Sequence, residues 1–103
     1  MYDIVIIGSG PAGLSAAIYG LRAGKKLVVI EKDYEGTGQI ALGSHVDNYP
    51  GIPNISGIEL GNNLRNHALG LGAKFIEAIA NKITKNSDGS FNYELTYLKN
   101  VKI

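Results

Sequence analysis

The chain has 103 residues, 45% hydrophobic and 18% charged, which sets one small globular domain rather than a disordered segment. Ten basic residues against nine acidic ones leave a net charge of +1, so the balance points to neither nucleic acid nor an anionic membrane as a partner. Cysteine is absent and the two histidines, His45 and His67, stand alone, which excludes disulfides and a Cys-x-x-Cys redox pair from these residues and argues against a metal site.

Tyr2 to Ile7 reads YDIVII, a short β-branched run closed by glycine. That pattern predicts a parallel strand buried on both faces. It is too short to span a bilayer, and with the acidic Asp3 it makes no signal peptide, so a cytoplasmic location is expected. Pro11 to Ala23 predicts a helix, with Ala12, Leu14, Ala16, Ala17, Ile18 and Leu21 supplying small and apolar faces. Pro11 suits its first turn and Gly24 its end. Lys26 to Glu31, KLVVIE, is a second buried strand, so a parallel βαβ unit occupies the first third of the chain.

Lys32 to Gly57 is an irregular stretch rich in glycine and proline, and an ordered loop of that length carries function. Ile58 to Leu71 returns to helical spacing, with Leu60, Leu64, Ala68 and Leu71 on one face. Lys74 to Ile79 predicts a third strand, and Lys82 to Lys85 with Ser90 to Tyr97 a hairpin turning at Asp88-Gly89. Tyr93, Leu95 and Tyr97 alternate as one buried sheet face. The chain stops at Val101-Lys102-Ile103 directly after strand-like residues, as expected of a piece of a larger fold or of a chain whose open sheet edges take a partner.

One motif carries chemistry. Gly8-Ser9-Gly10-Pro11-Ala12-Gly13 is G-x-G-x-x-G, set between a predicted strand and a predicted helix, the context that gives the pattern meaning. Gly8 permits the turn off the strand, Gly10 lets a pyrophosphate approach the backbone, and Gly13 lets the helix pack on the strand. The phosphates then meet N–H groups at the positive end of the helix. Glu31 ends the second strand about twenty positions further on, where a carboxylate accepts hydrogen bonds from the hydroxyls of an adenosine ribose and repels a 2′-phosphate. FAD and NAD both use such a unit, and spacing alone does not separate them.

Further segments do. Thr37-Gly38-Gln39-Ile40, then Val46-Asp47-Asn48-Tyr49-Pro50-Gly51, then Gly57-Ile58-Glu59-Leu60 and the turn Gly72-Ala73-Lys74 follow the glycine turn in order. Together they resemble the thioredoxin reductase subgroup of the FAD-dependent pyridine nucleotide-disulfide oxidoreductases, over residues 2 to about 80. The resemblance implies FAD as cofactor. It implies an α/β fold: a Rossmann-like parallel sheet with a βαβ dinucleotide-binding unit and a small antiparallel β excursion, residues 1–103 forming the N-terminal portion of an incomplete FAD domain. It implies that Gly8, Ser9, Gly10, Pro11, Ala12 and Gly13 wrap the pyrophosphate, and that Glu31 holds the ribose with Lys32 beside it. By the same resemblance Thr37, Gly38, Gln39 and Asn48 line the ribityl and isoalloxazine part, and Ala80 reads the adenine edge. Thr37 stands where the family has the first glycine of a pair. The family's second glycine motif for NADPH, its Cys-x-x-Cys pair, its Ala-Thr-Gly strand end and its late Gly-Asp segment have no counterpart in these residues. The expected partners are therefore FAD and either a second copy, in a homodimer, or the missing C-terminal half of the enzyme. An NAD-binding module and an inactive truncated fragment that dimerises through its sheet edges are the alternatives.

The remaining polar residues read as structural. His45 is a loop histidine, His67 a boundary residue on the second helix, Tyr49 a turn residue, and Glu59 complements the N-terminus of its helix rather than pairing with Asp47.

Overall fold

A computed structural model describes residues 1–33 and 45–102. Its elements are β1 (Ile4–Ile7), α1 (Pro11–Arg22), β2 (Leu27–Glu31), α2 (Gly57–Gly70), β3 (Lys74–Lys85) and β4 (Phe91–Lys102). They form one four-stranded mixed sheet in the order β1-β2-β3-β4. β1, β2 and the first part of β3 run parallel, with Ile7 opposite Ile30 and Glu31 opposite Glu77. The carboxyl ends of β1 and β2 and the end of the parallel part of β3 therefore lie together at one end of the sheet, where open α/β sheets bind ligands.

Alternation divides the sheet residues between two faces. Leu27, Val29 and Phe75 join Leu14, Ala17 and Ile18 of α1 and Leu60, Leu64 and Ala68 of α2 in the main core. Val28, Ile30, Ile76 and Ala78 point to the other face, where Tyr2, Val5, Tyr93 and Leu95 pack partly against them. β2 is buried along its whole length, as its unbroken apolar sequence requires.

β1 departs from the expected burial. It lies at the edge of the sheet, Ile7 is 50% exposed, and only Ile6 belongs to the main core. An apolar strand carries no sign of which neighbours it will have, so its position could not be read from its residues. The buried stripe of α2 ends at Ala68, and Leu71, expected on it, is the exposed residue that caps the helix. At its start, the Ser56 side chain accepts a hydrogen bond from the Glu59 amide at 3.1 Å, the pattern of a capping box.

β3 is longer than its pattern suggests. Its first residues pair with β2, and its later ones pair antiparallel with β4, with register breaks between Ile76 and Ala78 and between Ala80 and Lys82. The bulge at Asn81, whose side chain donates to Thr96 Oγ1 at 2.6 Å, interrupts the period-two pattern and makes one strand read as two. The hairpin closes through a three-residue loop, not the two-residue Asp88-Gly89 turn: the Gly89 amide donates to the Asn86 carbonyl at 3.1 Å and the Asn86 amide to the Ser90 carbonyl at 2.7 Å. Tyr93 and Leu95 are half-buried, but Tyr97 is 55% exposed, so the expected buried face covers only part of β4.

Candidate functional site

The glycine turn joins β1 to α1 at the carboxyl end of the sheet. Gly8 takes φ +102°, a left-handed conformation open to glycine, and its amide donates to the Ile30 carbonyl at 2.8 Å. Its N–H thus extends the sheet instead of facing a ligand. A Cβ on Gly13 would strike the Gly8 carbonyl oxygen, so α1 sits on the turn at a distance only glycine allows.

Gly10 is the N-cap of α1, with no side chain capping it and no acidic residue in the first turn. The first intrahelical bond runs from the Leu14 amide to the Gly10 carbonyl at 2.9 Å, which leaves the amides of Ala12 and Gly13 without a helical acceptor. A Cβ at Gly10 would meet nothing within 4 Å. Open space, converging N–H groups and the positive end of a helix fit an anionic pyrophosphate. Pro11, which has no N–H, occupies the position where none is needed.

Glu31, at the end of β2, reaches this turn. Its Oε1 accepts from the Ser9 amide at 2.7 Å and from the Ser9 hydroxyl at 2.8 Å, and its Oε2 from the Asp33 amide at 2.8 Å. Ser9 and Glu31 are both buried. The Ser9 amide is thus committed to the carboxylate, and the turn amides with no acceptor among the described residues are those of Gly10, Ala12 and Gly13. A carboxylate offers about four acceptor sites, so the three donors among the described residues leave room for a sugar hydroxyl.

The other expected residues spread around this centre. Lys32 is exposed directly after Glu31. Ala80 is half-buried on β3, three residues past Glu77, and so extends beyond the same end of the sheet. Asn48 is exposed in the segment held to the fold by the Val46–Ile55 bridge. Tyr49 packs on the main core, and its carbonyl accepts from the Ile52 amide at 3.2 Å across Pro50-Gly51, with Gly51 at φ +86°, so it belongs to a type II turn. His45 and His67 are exposed. Thr37, Gly38 and Gln39 lie outside the described residues. Glu77, given no role by the sequence reading, is buried and in register with Glu31. Its signal was a carboxylate inside an otherwise apolar run.

A parallel strand, a glycine turn, a helix and a strand-end acid at the mouth of the turn define a dinucleotide-binding protein of the Rossmann class. The sequence profile of the FAD binding domain family matches residues 3–61. The chain belongs to that family, and its cofactor is FAD. It is 45% identical over 84 residues to a thioredoxin reductase of Ureaplasma parvum, covering 82% of this chain and 27% of the relative. A thioredoxin reductase of Bacillus subtilis is also 45% identical, over 75 residues. The crystal structure of Lactococcus lactis thioredoxin reductase superposes with a TM-score of 0.84 at 31% identity, covering 100% of this chain and 32% of that one. The thioredoxin reductase of T. acidophilum gives a TM-score of 0.81 at 36% identity, covering 91% and 30%. The chain thus spans between a quarter and a third of the length of these relatives. No described helix is long and apolar enough to cross a membrane.

Proposed function

We propose that residues 1–103 are the N-terminal portion of the FAD domain of a thioredoxin reductase-like oxidoreductase, and that they hold the adenosine diphosphate end of the flavin. Glu31 at the mouth of the glycine turn, 2.7 Å from the Ser9 amide, is the observation that carries the reading. The amides of Gly10, Ala12 and Gly13 bind the pyrophosphate, while Gly8, Ser9 and Pro11 shape the turn. Glu31 takes the ribose, with Lys32 at its side, and Ala80 borders the adenine. Thr37, Gly38, Gln39 and Asn48 border the flavin end. FAD supplies hydride acceptance from a nicotinamide and electron delivery onward. The disulfide chemistry belongs to polypeptide beyond these residues, since they contain no cysteine. The same reading carries a cytoplasmic location.

Titration of the 103-residue chain with FAD tests this. Quenched flavin fluorescence and a shifted flavin absorption band are expected, and NAD at equal concentration does not displace the flavin. An unaltered flavin spectrum at saturating protein refutes binding by the chain alone, and displacement by NAD favours an NAD module.

A second reading is favoured by the apolar edge of β1, where Ile4 and Ile7 are exposed and no second strand among the described residues pairs with the outer side. There the chain forms a homodimer, or docks the remainder of a longer flavoprotein. Sedimentation of the pure chain separates these: a dimer supports self-pairing, and a monomer that gains FAD affinity on adding the rest of a relative supports docking.

A further inference from the structure

We propose that Ser9 is a positioning residue for sugar recognition, its hydroxyl latching the Glu31 carboxylate into the conformation that receives the ribose before any nucleotide arrives. This rests on the reading of the glycine turn as the site for the adenosine diphosphate end of FAD.

Two donors from one residue converge on one oxygen. The Ser9 amide stands 2.7 Å and the Ser9 hydroxyl 2.8 Å from Glu31 Oε1. The amide would be supplied by any residue but proline. The hydroxyl is particular to serine or threonine. Ser9 is 2% exposed and Glu31 7%, so this contact is shielded from water. The partners of Glu31 among the described residues are the Ser9 amide, the Ser9 hydroxyl and the Asp33 amide, so hydrogen bonds hold the carboxylate in place there. In such a setting each donor matters more than on a surface, because a buried carboxylate that loses one is not compensated by solvent.

The arrangement divides the labour of the two oxygens. Oε1 faces Ser9 and is filled by its two donors, while among the described residues Oε2 takes the Asp33 amide, at 2.8 Å. The oxygen with capacity to spare is then Oε2, and the latch fixes its direction. A glutamate side chain has three rotatable bonds, and ordering it at the moment of binding would cost affinity. With Ser9 in place that ordering precedes the ligand.

The test compares ADP with 2′,3′-dideoxy-ADP by calorimetry on the full 103-residue chain. The wild-type chain is expected to prefer ADP by about tenfold or more, the scale of a hydrogen bond to a charged group. In S9A the preference falls to about threefold or less, by loss of affinity for ADP with dideoxy-ADP binding unchanged. S9C, which keeps the volume but supplies a weak donor, follows S9A and covers the case in which alanine disturbs the fold. E31A abolishes the preference, and the S9A/E31A double variant loses no more of it than E31A alone. Equal loss for both ligands in S9A and S9C makes Ser9 a packing residue and overturns the latch, as does an undiminished preference in both. A wild-type chain that binds neither ADP nor FAD overturns the site reading together with the latch.

Discussion

Replacing Gly13 by alanine drives a methyl carbon onto the Gly8 carbonyl oxygen, with the Gly8 carbonyl carbon at 3.1 Å and Ile6 Cγ2 at 3.3 Å. The nearest obstacles are backbone atoms, which cannot swing aside as the end of a side chain can. Relief requires α1 to move off the turn by something on the order of 1 Å. That movement pulls Leu14, Ala17 and Ile18 away from the sheet they cover. Overpacking of this kind costs about 1–3 kcal/mol, and contact with backbone puts the substitution at the upper end. Alanine returns about 1 kcal/mol through its better helix propensity. The net loss is about 2 kcal/mol, which lowers Tm by about 8–16 °C in a domain of this size. Thermal melts followed by circular dichroism, without FAD so that ligand binding does not mask the change, read this directly. The control is G10A. Its methyl meets nothing within 4 Å, so the fold loses no more than about 1 kcal/mol, from a poorer N-cap, while FAD affinity falls because the methyl occupies the pyrophosphate's space. A G13A chain melting within about 2 °C of wild type would falsify the claim that Gly13 exists for close packing.

Two further outcomes are expected. Phe75 is fully buried in the core under both helices, and Phe75→Ala is expected to cost about 3–5 kcal/mol in urea unfolding; a loss under about 1 kcal/mol would mean that the helical layer does not rest on this strand. Burial, reinforced by the neighbouring Tyr2 and Tyr97, holds the Tyr93 hydroxyl above the usual tyrosine value of 10.0. The folded state then keeps a proton that the unfolded chain has released, so stability is full below pH 10.0 and declines as pH rises beyond it. Tyr93→Phe flattens that alkaline decline in pH-dependent melts, and an identical decline in the variant would remove Tyr93 as its source.

Much of the molecule is local in origin and was legible along the chain. The βαβ unit followed from an apolar β-branched run, a proline in the first helical turn and a glycine pattern whose spacing has one economical physical use. The Tyr49 turn and the complement of Glu59 to its helix were legible for the same reason, since each depends on residues within a few positions. The candidate site was legible in its parts: Gly8 to Gly13 and Glu31 stood out by type and spacing alone.

Tertiary structure decided what depends on neighbours distant in sequence. β1 read as a strand buried on both faces and lies at the sheet edge, because burial is set by which strands arrive beside it. β3 read as two short strands, because the bulge at Asn81 breaks the alternation while pairing with β4 carries the strand through. Which amides remain for a ligand was also settled only in three dimensions. The Gly8 amide goes to Ile30 and the Ser9 amide to Glu31, each more than twenty positions away. The residue types were written in the order of the chain. The division of hydrogen bonds among them arose when the carboxyl ends of the parallel strands were brought side by side.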